Sequence, residues 1–245
     1  MSYRLRLIVA YDGASFAGWQ SQAHRNTVQD HLERTFKRIS GESVRVHGAG
    51  RTDAGVHALG QCAHVDIENE KLTPARWLIA LNALLPPTVR VMRCGRVGKN
   101  FHARFSARGK IYQYRIWLGQ VLPPLEHGRA WHVSGRFDLE TFKSAANRFA
   151  GRHDFAGYAA NRGKRETDTV RTIHSIKVRH SGSWLTVDFD GDGFLYKMVR
   201  LIIGSLVQCA TGKMAAGELL QNGARRVPAR LVAPAEGLFL VKVLY

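Results

Sequence analysis

The sequence predicts an α+β fold made of two similar halves, and three observations carry that reading. Each half opens on a strand-like alternation: Leu5, Leu7 and Val9 in the first, Tyr112, Tyr114 and Ile116 in the second. Each half then interleaves helix-spaced apolar residues with short strand-like runs. No low-complexity segment or flexible linker interrupts the 245 residues, so the halves are expected to pack as one body.

The first half begins with a strand from Arg4 to Tyr11. A helix from about Val28 to Ile39 follows, with Val28, Leu32, Phe36 and Ile39 on one face. A short strand at Val44 to Val46 comes next, then a glycine-punctuated loop, then a strand from Ala63 to Ile67. A second helix, Pro74 to Leu84, carries Trp77, Leu78 and Leu81. Pro74 suits its first turn and Pro86-Pro87 ends it. The second half opens with a strand from Lys110 to Leu118. A helix from Asp138 to Phe149 follows, with Asp138 a fitting N-cap. Strands at Thr172 to Arg179 and Trp184 to Asp190 are joined by a Ser-Gly-Ser turn. The helix from Leu195 to Ala210 is apolar on most sides and is expected to be deeply buried, and a strand from Leu238 to Tyr245 closes the chain. Each half reads βαββα, a pattern that two tandem ferredoxin-like halves sharing one sheet satisfy. The division is placed at residues 1–105 and 106–245.

Charge narrows the partners. The chain carries 36 Lys and Arg against 19 Asp and Glu, a formal net charge of +17. Polyanions gain sequence-independent affinity from such a surface through counterion release, which favours nucleic acid. An anionic membrane is disfavoured, because no helix sets a basic face against an apolar one. Cys62, Cys94 and Cys209 are far apart and odd in number, so no disulfide framework is suggested. The N-terminal run MSYRLRLIVAYDG reads as a strand and not a signal peptide. The longest apolar stretch, Met198 to Val207, is too short to span a bilayer. A cytoplasmic protein is expected.

The most informative segment is Gly50-Arg51-Thr52-Asp53-Ala54-Gly55-Val56-His57. Glycines allow positive φ and close approach, so this loop can present the Asp53 carboxylate to a bulky ligand. A solvated Asp–Arg pair on a glycine-rich turn is the bland alternative. Arg200 sits within the most apolar helix. It either snorkels to solvent or pairs with a carboxylate, Asp53 being the sharper candidate. Tyr114 is read as core, whereas Tyr112, next to the basic stretch Arg104, Arg108 and Lys110, could stack on a base. The run Asn161 to Arg165 reads as a basic loop that touches phosphates or is merely solvated. His57, Cys62 and His64 match no common zinc spacing, and Asp12-Gly13 and Asp190 to Gly193 read as turns. No P-loop or dinucleotide fingerprint is present, so neither a metal nor a cofactor is indicated.

Taken in order, several runs resemble the TruA-type tRNA pseudouridine synthases along nearly the whole chain. They include Tyr11-Asp12-Gly13, Gly18-Trp19-Gln20, the Gly50 to His57 run, Asn82 to Pro86, Phe101-His102-Ala103-Arg104-Phe105-Ser106-Ala107, Tyr112-Gln113-Tyr114, His153-Asp154-Phe155, Met198-Val199-Arg200 and Ala235 to Leu238. The resemblance implies two ferredoxin-like halves in one continuous mixed/antiparallel sheet, helices on one side, a basic cleft between the halves, and a homodimer. It implies tRNA as substrate, isomerised at uridines 38, 39 and 40 of the anticodon stem-loop. Asp53 then resembles the catalytic aspartate and Arg200 its basic partner. Tyr112 resembles the tyrosine that stacks on the target base, and Arg51 the arginine that holds the flipped nucleotide. Such a reaction moves no electrons, which fits the absence of a cofactor motif. Lys197, beside Met198, would add a second positive charge near Asp53. Two rivals stand beside this reading: a basic tRNA-binding module without catalysis, and a pseudouridine synthase of another RNA.

Overall fold

A computed structural model describes residues 2–23, 26–68, 72–160, 167–220 and 231–245. The chain divides into two compact units, Met1–Arg108 with Phe239–Tyr245, and Gly109–Leu238.

In the first unit, β1 (Tyr3–Tyr11) leads to α1 (Val28–Ser40), then β2 (His47–Gly48) and β3 (His57–Ile67). α2 (Pro74–Leu84) and β4 (Val89–Val97) follow, and the last strand, β10 (Leu238–Leu244), contributes its residues from Phe239 on. β1 lies between β4 and β3, antiparallel to both, and β2 pairs with β3, which is the ferredoxin-like order 4-1-3-2. β10 joins β3 in parallel, with Phe239 opposite His57. The strand alternation buries Leu5, Leu7 and Val9 completely, and Leu32 and Phe36 of α1 and Trp77 of α2 are buried with them. The Phe36 and Trp77 rings meet at 5.0 Å. Thr27 caps α1 by accepting from Asp30 N, and Gly41 closes it at φ +80°. α2 has the bounds the sequence predicts, with Thr73 as its N-cap.

Two details of this unit differ from the expectation. Val44 to Val46 form no strand; the Val46 N–H donates to Glu33 Oε1 of α1 instead of entering a ladder. β3 starts at His57, not Ala63, because Ala58 to Ile67 pair with β1 along its whole length. The register slips between Val9 and Tyr11, a bulge that turns the end of β1 toward the loop before β3.

The second unit runs β5 (Gly109–Trp117), β6 (Trp131–His132), α3 (Leu139–Asn147), β7 (Gly151–Asp154), β8 (Val170–Ser181), β9 (Trp184–Gly191) and α4 (Met198–Ala210). The order is β5-β9-β8-β7, with β6 added to β5 in parallel. The expected βαββα sequence of elements is present as β5, α3, β8, β9 and α4. Asp138 caps α3 through Glu140 N and Thr141 N. α4 is buried along nearly its whole length, as its composition implies. Tyr114, Ile116, Val187, Phe189 and Phe142 complete the core. Among the described residues, no helix is long and apolar enough to cross a membrane.

Candidate active site

The Asp53 loop connects β2 to β3 in the first unit, and its shape is set from beneath by residues some forty positions earlier. The Tyr11 and Thr52 hydroxyls are hydrogen-bonded at 2.7 Å, and Trp19 N donates to Thr52 O at 3.1 Å. Tyr11 is buried, and that burial raises its phenol well above the ordinary value against the opposing pull of its hydrogen bonds to Thr52 and Gln61. It therefore stays a neutral hydroxyl. Gln61 Nε2 donates to Gly50 O at 2.9 Å and ties down the start of the loop.

The far side of the loop turns at Asp53 to Val56, closed by Val56 N donating to Asp53 O at 3.1 Å, with Gly55 at φ +79°. Gly13 packs directly under it. A Cβ on Gly13 would come within 2.1 Å of Val56 O, so only glycine fits. Gly13 N donates to His57 Nδ1 at 3.0 Å, and Asp12 Oδ1 stands 3.2 Å from the same nitrogen. The His57 ring is buried and stacks on Phe239 at 4.6 Å and 17°.

The result is a loop whose inward residues are fixed and whose outward ones carry charge. Thr52 and Val56 are buried, Asp53 is half-exposed, and Arg51 is exposed. A carboxylate and a guanidinium two residues apart on a rigid loop can approach one ligand together. Preorganisation of this kind is what a catalytic carboxylate needs.

The other predicted residues lie in the second unit. Tyr112, on β5, is 9% exposed and meets Phe194 edge-on at 5.1 Å. Tyr114 is fully buried and donates to Pro234 O at 2.7 Å, in keeping with its reading as core. Arg200 is half-buried in the first turn of α4, and its Nε donates to Ala233 O at 2.7 Å, while Ala233 N donates back to Arg200 O. Just before this helix Lys197 adopts φ +60°, a left-handed conformation that costs a non-glycine residue about 1 kcal/mol or more. Its Nζ lies 5.2 Å from the Tyr196 ring centre. The basic run Asn161 to Arg165 falls outside the described residues.

His57 and His64 serve different partners, since His64 Nδ1 accepts from Ala103 N at 3.1 Å. Sequence reasoning missed Tyr11, Gly13 and Gln61 as props of the loop. Their only sequence signals were the Tyr11-Asp12-Gly13 run and the Gly60-Gln61 pair within the resemblance.

A family model described as tRNA pseudouridine synthase matches residues 7–106 and 145–245 of this chain. A protein of Akkermansia muciniphila named tRNA pseudouridine synthase A is 43% identical, over 99% of this chain and 95% of its own length. Proteins of the same name from Acetivibrio thermocellus and Cupriavidus necator are 41% and 40% identical, over 98% and 99% of this chain and 99% and 90% of their own.

Proposed function

Because the chain belongs to the tRNA pseudouridine synthase family, an isomerase of uridine in tRNA, we propose that it acts on uridines 38, 39 and 40 of the anticodon stem-loop, with Asp53 as the essential catalytic group. The observation that carries the assignment is the braced loop: Tyr11, Gly13 and Gln61 fix the backbone that carries a half-exposed Asp53 and an exposed Arg51.

The reaction is a rearrangement within one nucleotide. The N1–C1′ bond breaks, the base turns, C5 joins C1′, the C5 proton departs and N1 gains one. Electrons balance without a redox partner, so the proposed reaction needs no redox cofactor. A uridine inside a stem must first leave its stack, which costs a few kcal/mol. Arg51 holds the extruded nucleotide by its phosphate, and Tyr112 supplies the ring against which the base lies. Asp53 acts ionised, as nucleophile or as the base that takes a sugar proton. Arg200 is its proposed basic partner. Residues 1–105 thus contribute Asp53 and Arg51, and residues 106–245 contribute Tyr112 and Arg200. Cytoplasmic location and a homodimer complete the reading.

The target positions are tested by treating tRNA with the protein, forming carbodiimide adducts and mapping reverse-transcription stops. New stops at 38 to 40 alone support the proposal. Stops elsewhere in the tRNA would overturn the assignment of the anticodon stem-loop.

A further inference from the structure

The mechanism above leaves one aromatic construction unused. Phe105 is 77% exposed, which is unusual for a large apolar ring with so little around it. It is nevertheless held in place. Its ring stacks on His102 at 4.3 Å and 30°, and the Arg104 guanidinium lies 5.6 Å from its centre. His102 is itself fixed, because its Nδ1 accepts from Arg104 N at 3.1 Å and Phe105 N at 3.2 Å. Behind it stands His64, 4.6 Å away and 2% exposed, followed by His47 stacked on His64 at 4.9 Å. Burial, then the charge of Arg4, pushes His64 down to about 4, so this backing ring is neutral near pH 7. A buried ring, His64, thus backs a preorganised aromatic at the surface of the first unit, with a cation beside it.

We propose that Phe105, backed by His102 and flanked by Arg104, is a stacking seat for one unpaired base of the tRNA other than the uridine being isomerised. The proposal rests on tRNA as the substrate. The seat lies toward the opposite end of β3 from the Asp53–Val56 turn. His64, which anchors Ala103, follows His57 by seven strand residues, and seven rises of roughly 3.3 Å give about 23 Å. Every base has a π-face, so stacking of this kind holds single-stranded nucleotides without reading sequence, and a neighbouring arginine adds attraction for the phosphate. The net charge of +17 is complementary to such a partner.

Equilibrium binding of unmodified tRNA transcript, measured over a salt series, tests this with three variants. Phe105→Leu keeps apolar bulk at an exposed position but loses the π-face, and is expected to weaken binding about 5-fold or more at every salt concentration, the low end of one lost stack. Phe105→Tyr is expected to bind like the wild type. Arg104→Gln is expected to flatten the log–log salt slope by about one, the mark of a lost phosphate contact. Binding by Phe105→Leu equal to wild type would overturn the seat. So would a shift of Phe105→Leu from dimer to monomer in sedimentation, since a second copy would then be what covers the ring. Tritium release from C5-labelled tRNA by wild-type protein is run alongside. If release is absent while Phe105→Leu still loses affinity, the catalytic assignment fails and the seat stands.

Discussion

Replacing Gly13 by alanine separates the placement of Asp53 from the stability of the fold. Gly13 does not occupy a positive φ, so alanine is compatible with its backbone, and the whole effect is steric. The added Cβ would stand 2.1 Å from Val56 O, where ordinary contact begins at 3.4 Å. The shortfall is about 1.3 Å, and both sides of the clash are backbone, so no side chain can swing away. Gly13 is held through its N–H to the buried His57, and Val56 is bonded to Asp53 across the turn. The displacement therefore reaches Asp53. A misplacement of about 1 Å at a reacting group costs on the order of 100-fold in rate, and overpacking costs about 1–3 kcal/mol of stability. The assay is single-turnover tritium release at saturating enzyme, with the urea midpoint measured on the same samples. Gly41→Ala is the control: φ is +80° but nothing lies within 4 Å, so it loses about 1 kcal/mol of stability and keeps its rate. A Gly13→Ala rate within threefold of wild type would refute the claim that this packing sets the carboxylate.

Two further outcomes follow from the same unit. Tyr11→Phe deprives the buried Thr52 hydroxyl of its 2.7 Å partner, and about 1–3 kcal/mol of stability should be lost in chemical unfolding. His64, held neutral by burial and then Arg4 and titrating near 4 in the folded state, makes stability depend on pH. The unfolded chain binds this proton near pH 6.5 and the folded chain resists it until about 4. Stability is therefore full above about 6.5 and falls as pH drops through that window, by at most about 3 kcal/mol. His64→Asn, which keeps an acceptor for Ala103 N but does not titrate, should flatten the urea-midpoint profile between those pH values.

Much of the fold was legible because periodicity and end signals agreed. Pro74 and Pro86-Pro87 bracket α2 so clearly that its bounds match the prediction, and Asp138 marks the start of α3. The failures have physical causes. β4 went unread because Arg90, Arg93, Arg96 and Gly95 break its apolar alternation, although Val89 and Val91 are buried. β6 and β7, of two and four residues, are defined only by pairing to partners distant in sequence. Val44 to Val46 had the right composition for a strand, but Glu33 took the Val46 N–H. At the site, the Asp53 loop announced itself through its glycines and charges. Its supports did not, since Tyr11 and Gly13 lie 41 and 44 positions from Thr52 and His57. Tyr112, read as a ring that could stack on a base, is 9% exposed and meets Phe194 edge-on, a neighbour 82 positions away that its strand alternation does not announce. The exposure of Phe105 could not be read at all, because composition does not distinguish a core phenylalanine from a presented one.

The central claim is that Asp53 performs the isomerisation. Tritium release from a tRNA transcript labelled at uridine C5 measures it directly, since joining C5 to C1′ expels that hydrogen. The account predicts release by the wild type and none by Asp53→Asn, with the variant binding tRNA nearly as tightly and unfolding at the same urea concentration. Release by Asp53→Asn at a rate near that of the wild type would contradict it.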